Sequence, residues 1–389
     1  MPVMNPERAV LVGIVAGEPS GDSLGAGFIS EFRNLYPKAR FVGIGGPKMR
    51  KAGCTTLHDM RSIGLMGLDE LFVRLGGILK IRRSLYRKFV ADPPDVFVGV
   101  DVPDFNLKLA AKLKRKGIPT VHYVSPTVWA WREYRIRKIH NSVDRMLVLF
   151  PFEADYYRKH GIAATFVGHP VADEIRNPDR ERARRDLGLD IGSGERVVAL
   201  LPGSRSTEIR RLGEIMIGAA RLLHEADPAL QFILPFANAE TRKQFFALSG
   251  DVSDLPIVFI DERSRQALEA CDIAILASGT AALEAALMER LHVVIYRVSS
   301  PTWVIFRMLS RVSHYSMPNH LLPKPEIPEL IQSRATAGRI AESVRQMMGD
   351  RDRAARLEGE FRALRHQLRA NASRQAADAV AGMLGEQAC

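Results

Sequence analysis

Cysteine is scarce in this chain of 389 residues: Cys54, Cys271 and Cys389 are odd in number, far apart and without metal-ligand spacing. That pattern speaks against a disulfide framework and for a reducing compartment. Also missing is any apolar segment of the ~20 residues that a membrane span needs, so membrane association, if it exists, is expected to be peripheral. The N-terminal pattern is expected to be a first core strand in preference to a signal peptide. Its apolar run from Ala9 to Gly17 follows Glu7 and Arg8 and enters the charged stretch Glu18 to Asp22, as a first core strand would. Neither a P-loop nor a dinucleotide fingerprint is present, since the first glycines fall at other spacings. The ten histidines form no zinc-type motif. Asp350-Arg351-Asp352, the one Asp-X-Asp, lies at the edge of a helical region and reads as helix capping. No metal and no cofactor is therefore expected.

What is there is ordinary globular composition, 46% hydrophobic and 25% charged, at a length that suggests two domains each with its own core. The net charge of +11 predicts an acidic partner, whether nucleic acid, anionic lipid or a phosphorylated substrate. Strand-like runs at Val10 to Ala16, Arg40 to Ile44, Asp95 to Val100, Pro119 to Val124 and Arg145 to Phe150 alternate with helical patterns. The first half, residues 1–168, therefore reads as a doubly wound parallel sheet. A charged linker follows over 169–195. The alternation restarts at Val197 to Leu201 and continues through Gln231 to Pro235, Ile257 to Ile260, Ile273 to Ala277 and Val293 to Tyr296, giving a second sheet over 196–349. Residues 350–389 complete an Arg-rich helical end expected to pack back onto the first domain. The fold class is α/β, two Rossmann-like domains facing each other across a cleft, as in many nucleotide-sugar glycosyltransferases.

Three strand tips carry candidate site residues. After the first strand, Glu18, Ser20, Gly21 and Asp22 stand where open α/β sheets deliver ligands. In the second half, Leu201-Pro202-Gly203-Ser204-Arg205 turns a strand into a helix, with Gly203, Ser204 and Arg205 placed to meet a diphosphate at the helix N-terminus. The apolar run Asp272 to Ala277 ends in Ser278, Gly279 and Thr280, small residues that let a ligand approach the backbone. Glu284, a turn into the following helix, can accept hydrogen bonds from a ribose diol. Alone, this last stretch fits a capped strand-to-helix turn better than a pocket. With Arg205 it gives a phosphate end and a ribose end at two strand tips of one sheet.

The segment Leu68 to Phe89 has helical spacing of apolar residues and six positive charges with no acid between Leu71 and Ala91. A core helix with a solvated basic face accounts for part of that pattern. The functional reading is an interfacial element, with Leu71, Phe72, Leu75, Leu79, Arg82, Arg83 and Arg87 facing an anionic membrane. Trp303 to Leu309 could act similarly, although a buried helix suits it better.

Eight short motifs in order carry a resemblance over nearly the whole chain. They are Ala16 to Asp22, Asp101-Val102-Pro103-Asp104-Phe105-Asn106, Ser125 to Trp131, Pro151-Phe152-Glu153, Gly168-His169-Pro170, Leu201 to Arg205, Ser278-Gly279-Thr280 and Pro318-Asn319. Together they resemble the lipid-A-disaccharide synthase family. The resemblance implies an inverting glycosyltransferase of the two-domain GT-B type. It would join UDP-2,3-diacylglucosamine to 2,3-diacylglucosamine 1-phosphate, making the β-1,6 disaccharide of lipid A and releasing UDP at the cytoplasmic face of the inner membrane. An inverting transfer needs a base for the acceptor hydroxyl and charge stabilisation for the departing UDP. Asp101 is the expected base, with Asp104 its competitor but placed as a helix N-cap. Glu18 and Ser20 would position acceptor or sugar, Arg205 with Gly203 and Ser204 would hold the leaving diphosphate, and Asn319 would bond donor sugar or phosphate. Rival readings are another UDP-N-acetylglucosamine enzyme of the same fold, either a 2-epimerase or a lipid-linked transferase, and a basic nucleic-acid-binding module. The module lacks the aromatic-basic motifs of single-strand binders, so no nucleic acid is expected. The C-terminal helices leave a homodimer open.

Overall fold

In the computed structural model the described residues are 6–64, 68–131, 133–189, 191–192, 195–310 and 312–386, without the side chains of 68–75, 305, 309 and 386. They divide into two compact units, residues 1–173 with 368–389 and residues 174–367.

Unit 1 is built on the strands β1 (Leu11–Ala16), β2 (Arg40–Gly45), β3 (Cys54–Asp59), β4 (Val96–Val100), β5 (Thr120–Tyr123), β6 (Arg145–Val148) and β7 (Ala164–Phe166). Between them run α1 (Pro19–Leu35), α2 (Pro47–Lys51), α3 (Leu68–Ala91), α4 (Pro103–Lys114), α5 (Ile136–His140) and α6 (Pro151–Lys159). The strand order is β3-β2-β1-β4-β5-β6-β7, all parallel. β1 and β4 read as unbroken apolar runs because helices cover both of their faces. On one face Phe28, Ile29 and Phe32 of α1 pack with Val12, Ile14 and Val98. On the other, Leu85 and Phe89 of α3 pack with Phe97, Phe105 and Leu109. Gly76-Gly77 does not break α3, which is helical throughout its length.

The chain continues through α7 (Pro170–Glu174) and α8 (Arg180–Asp186). Thus the stretch expected to be a linker is partly helical, and Arg180 and Arg184 tie α8 to Asp272 at 2.8 and 2.7 Å. Unit 2 contains β8 (Val197–Leu201), α9 (Ser206–Ala226), β9 (Gln231–Phe236), α10 (Ala239–Ser249), β10 (Ile257–Asp261), α11 (Ser264–Ala270), β11 (Ile273–Ala277), α12 (Thr280–Leu287) and β12 (Leu291–Tyr296). After these come α13 (Ser300–Leu309), α14 (Met317–Leu321), β13 (Glu329–Ile331), α15 (Ala337–Gly349) and α16 (Arg351–Leu368), then α17 (Ala372–Glu386) of unit 1. The second sheet, also parallel, has the order β10-β9-β8-β11-β12-β13. In α9 the buried residues Ile209, Leu212, Met216, Ile217, Ala220 and Leu223 fall on one helical stripe against this sheet.

The C-terminal helices part company. Arg362 and Arg365 of α16 grip Glu289 of unit 2 at 2.6 and 2.7 Å. α17 instead buries Ala377, Val380 and Leu384 in the unit 1 core with α1. Asp350 caps α16 by accepting from the Arg353 N–H at 3.0 Å, as its position suggested. Among the described residues no helix is long and apolar enough to cross a membrane.

Candidate active site

Each sheet reverses its strand order next to its first strand, between β1 and β4 in unit 1 and between β8 and β11 in unit 2. The crevice at the carboxyl ends of such strands is where open α/β sheets bind ligands. In unit 1 those ends deliver Gly17-Glu18 and Asp101-Val102, and in unit 2 Pro202 to Arg205 and Ser278 to Thr280.

At the unit 1 edge the backbone is strained at two neighbouring strand tips. Asp101 and Val102 have φ of 53° and 42°, and Val124, on the next strand tip, has 78°. Non-glycine residues in the left-handed region are costly, β-branched ones most of all, and such strain gathers at functional sites. Asn106 on α4 holds the turn. Its fully buried Nδ2 donates to the carbonyls of Asp101 at 2.7 Å, Val15 at 3.2 Å and Val100 at 3.3 Å, so one side chain fastens the ends of both β1 and β4. Gly17 brings the two loops together, since a Cβ there would stand 2.6 Å from Val102 Cγ2.

The Asp101 carboxyl is half-buried and accepts from the Val102 N–H at 2.8 Å. Burial pushes it above the usual carboxylate range, against the opposing pull of that hydrogen bond. Of its expected neighbours, Glu18 is the half-buried N-cap residue of α1, and Ser20 is exposed in the first turn. Gly21 is buried and packs near Ala16 and Val100.

Two expectations at this edge are corrected. Asp22, assigned to substrate, is 3% exposed, and its carboxylate accepts from the N–H groups of Gly46, Lys48 and Met49 at 2.8, 3.0 and 3.0 Å. It caps α2 from a distance. Asp104 is not an N-cap, a position held by Val102, but pairs with Arg135 at 2.5 Å.

Sequence reasoning gave no role to the residues around Trp129. The Trp129 indole donates to Glu153 Oε1 at 3.1 Å and meets the Phe152 ring edge-on at 4.9 Å. Glu153 Oε2 accepts from the Phe150 N–H at 3.3 Å, while the Ser125 and Tyr157 hydroxyls bond each other at 2.9 Å. His169 donates its backbone N–H to Leu368 O at 2.8 Å and accepts at Nδ1 from the Val171 N–H at 3.3 Å. These motifs therefore build the floor of the same strand-end edge. The available signal was the pairing of a tryptophan with a buried acid after adjacent strands.

At the unit 2 edge, Gly203 has φ of 114°. Glu208, three residues into α9, turns back so that its Oε2 accepts from the N–H groups of Ser204 at 2.9 Å and Arg205 at 3.2 Å. An acid of the chain thus occupies the anion position at this helix start, and the Arg205 side chain is 80% exposed beside it. A Cβ on Gly203 would lie 2.2 Å from Glu208 Oε2. Gly203→Ala is expected to cost about 1–3 kcal/mol through backbone strain and loss of this cap. A urea melt of the variant superimposing on wild type would refute it.

Ser278 Oγ donates to the Tyr315 carbonyl at 3.2 Å, whereas Gly279 and Thr280 are exposed at the start of α12. Glu284 Oε1 accepts from Arg265 Nε at 3.1 Å, and Arg265 also holds Glu174. Asn319, expected to reach substrate, is 5% exposed, and its amide is engaged within the chain. Nδ2 donates to Ile327 O at 2.9 Å and Glu329 Oε1 at 2.7 Å, and Oδ1 accepts from Ile327 N at 3.0 Å. Glu329 also accepts from the Tyr315 and Ser316 N–H groups, so the pair anchors the segment that reaches Ser278.

Of the expected membrane face, Leu79, Arg83 and Arg87 are exposed and Arg82 is half-buried. The side chains of Leu71, Phe72 and Leu75 lie outside the described residues. Among the described residues no group of three His, Cys, Asp or Glu could hold a metal ion.

Two parallel sheets with small-residue turns at their switch points define a GT-B type glycosyltransferase fold. The chain superposes on the crystal structure of the glycotransferase of kitacinnamycin with a TM-score of 0.62 at 16% identity, covering 96% of this chain and 98% of that one. It matches the calicheamicin glycosyltransferase CalG4 with a TM-score of 0.59 at 14% identity, covering 98% and 100%. At such identities the likeness shows the fold alone. The family comes from sequence. Residues 12–382 match the family model described as lipid-A-disaccharide synthetase. The lipid-A-disaccharide synthase of Hahella chejuensis is 45% identical over 97% of this chain and 95% of its own length. The chain belongs to the lipid-A-disaccharide synthase family. It is a glycosyltransferase of lipid A biosynthesis, and the rival readings as an epimerase or a nucleic-acid-binding module are not favoured.

Proposed function

We propose that this enzyme transfers 2,3-diacylglucosamine from its UDP conjugate to the 6-hydroxyl of 2,3-diacylglucosamine 1-phosphate, inverting the anomeric centre and releasing UDP. The observation that carries the reading is Asp101: a half-buried acid with a raised pKa, on a strained turn at the switch point of the unit 1 sheet. A base must be ionised to accept the hydroxyl proton yet basic enough to hold it, and burial moves Asp101 in that direction. Glu18 and Ser20, on the adjoining loop, orient the acceptor sugar. In unit 2 the exposed Arg205 side chain stabilises the leaving diphosphate, and Glu284 addresses the ribose.

Both substrates carry acyl chains that cannot enter water without exposing apolar surface, so catalysis takes place at the cytoplasmic face of the inner membrane. Leu79 at 45% exposure, with Arg83 and Arg87 beside it, supports α3 as the contact. A transfer assay in detergent with both lipids tests the reading. UDP and disaccharide should appear together, at a rate unchanged by excess chelator; UDP release without disaccharide would reject the acceptor assignment.

A further inference from the structure

The side of α4 turned away from the sheet presents Asp104, Lys108, Lys112 and Arg115 at helical spacing. Arg82 of α3 stands on one side of this stripe, and Arg137 and Lys138 of α5 stand on the other. With Tyr134 these basic residues, without Asp104, line a groove of about 520 Å³ that no residue assigned above enters apart from Arg82. Six of its lining side chains are cationic and none is acidic. None of those six has an ion-pair partner among the described residues. A narrower recess of about 290 Å³ continues it toward the start of α4, lined by Asp104, Lys108, Tyr134, Arg135 and Lys138.

Like charges so closely placed repel, and the one acid near them, Asp104 in the recess, is paired with Arg135. Lys108 shows the effect: burial, then Arg82 and Lys138, hold its ammonium below the usual lysine range. Solvated surface lysines normally splay apart. Here the backbone of three helices fixes them around a concavity, which makes a site for an anion with several acceptor oxygens. Its position narrows the choice. α4 begins two residues after Asp101, and Lys108 lies about 7–8 Å along the helix from Pro103. The acceptor carries its phosphate on C1 and its reacting hydroxyl on C6, at opposite ends of one sugar ring. If Asp101 takes the hydroxyl proton, the phosphate lies a ring's width away, within reach of flexible lysines on the adjoining helix.

We propose that the Lys108–Lys138 end of this groove binds the phosphate monoester of the lipid acceptor and so selects phosphorylated over unphosphorylated acceptors. The proposal rests on the transfer reaction of the preceding section. The remaining cations, Arg82, Lys112, Arg115 and Arg137, extend the positive field along the groove and draw the anionic headgroup toward it.

The test uses the full chain in neutral detergent micelles, with Lys108→Gln, Lys138→Gln and the double variant. Acceptors are 2,3-diacylglucosamine 1-phosphate and the same lipid without phosphate. Each single variant should raise KM for the phosphorylated acceptor by about tenfold, the loss of one charge-assisted contact. The donor KM and kcat/KM on the phosphate-free acceptor should stay at wild-type values, which a folding defect would not allow. Equal losses on both acceptors, or none on either, would overturn the proposal. A second arm measures binding to anionic and neutral vesicles. Variants that lose anionic-vesicle binding while keeping acceptor KM would assign the groove to bulk lipid phosphate and overturn it too. A wild type that makes no disaccharide sinks the transfer reading and this one with it; an active wild type with unaltered variants sinks this one alone.

Discussion

Asp101→Asn should lower kcat by about 10²–10⁴-fold, the usual contribution of a positioned general base. Asparagine keeps the size of the side chain and an oxygen that can accept from the Val102 N–H, so the strained turn has no reason to relax. The buried Asn106 amide that fastens the turn binds only backbone carbonyls and is indifferent to the change. UDP affinity, set in unit 2, should therefore stay at the wild-type value, and so should the melting temperature. The pH profile supplies an independent readout. Because burial raises the Asp101 pKa, the acid limb of kcat/KM should lie above the ordinary aspartate range, and that limb should vanish from the residual activity of the variant. Near-normal turnover would remove Asp101 from the role and leave Glu18 and Asp104 as the candidates for it. A large fall in melting temperature would instead make Asp101 a structural residue of the turn.

Most of the architecture was legible because central parallel strands are buried on both faces and write continuous apolar runs such as Val96 to Val100 and Ile273 to Ala277. The three strands not anticipated, β3, β7 and β13, all lie at sheet edges. β3 is buried only at Cys54 and alternates exposed and half-buried positions after it, and none of the three residues of β7 is fully buried, so neither gives a run to read. The loops that hold the site were legible from their small and polar residues, but the duties of individual polar residues were not. Asp22, after a strand tip, and Asn319, in a family motif, look like ligand-facing groups. In the fold both satisfy buried backbone N–H and C=O groups, a demand that depends on which distant segment packs beside them. The left-handed turn at Asp101-Val102 was hard to read in the sequence, because aspartate tolerates that conformation but serves as often in caps and turns, and β-branched Val102 is disfavoured in it. Glu208 was readable in retrospect, since its place three residues after Arg205 is capping-box spacing.

Glu153→Gln should remove the Glu153 contribution to the pH dependence of unit 1 stability. Glu153 is 3% exposed, and burial pushes its pKa from the usual 4.5 to about 7, in spite of hydrogen bonds from Trp129, Ser125 and the Phe150 N–H that favour the charged form. A carboxyl whose folded pKa is raised binds its proton more tightly when folded than when unfolded. Its contribution to stability is therefore fully present below the unfolded value and is lost as pH rises through about 7. A shift of this size corresponds to about 3 kcal/mol between about pH 4.5 and pH 8. Glutamine cannot ionise, so the variant lacks this slope. It also cannot accept from both Trp129 and Phe150, which lowers its stability at acid pH, where wild type is protonated and intact. Wild type should consequently be the more stable at about pH 5 and lose that advantage, by about 3 kcal/mol, at about pH 8. Urea unfolding followed through Trp129 and Trp131, in a background where Trp303→Phe silences unit 2, reads the difference directly. Parallel stability curves for the two proteins across this range would show that Glu153 is already ionised in the fold. In the other outcome, alkaline pH places a charge beneath Trp129, on the strand tip next to Asp101, and activity at high pH should fall together with the order of that loop.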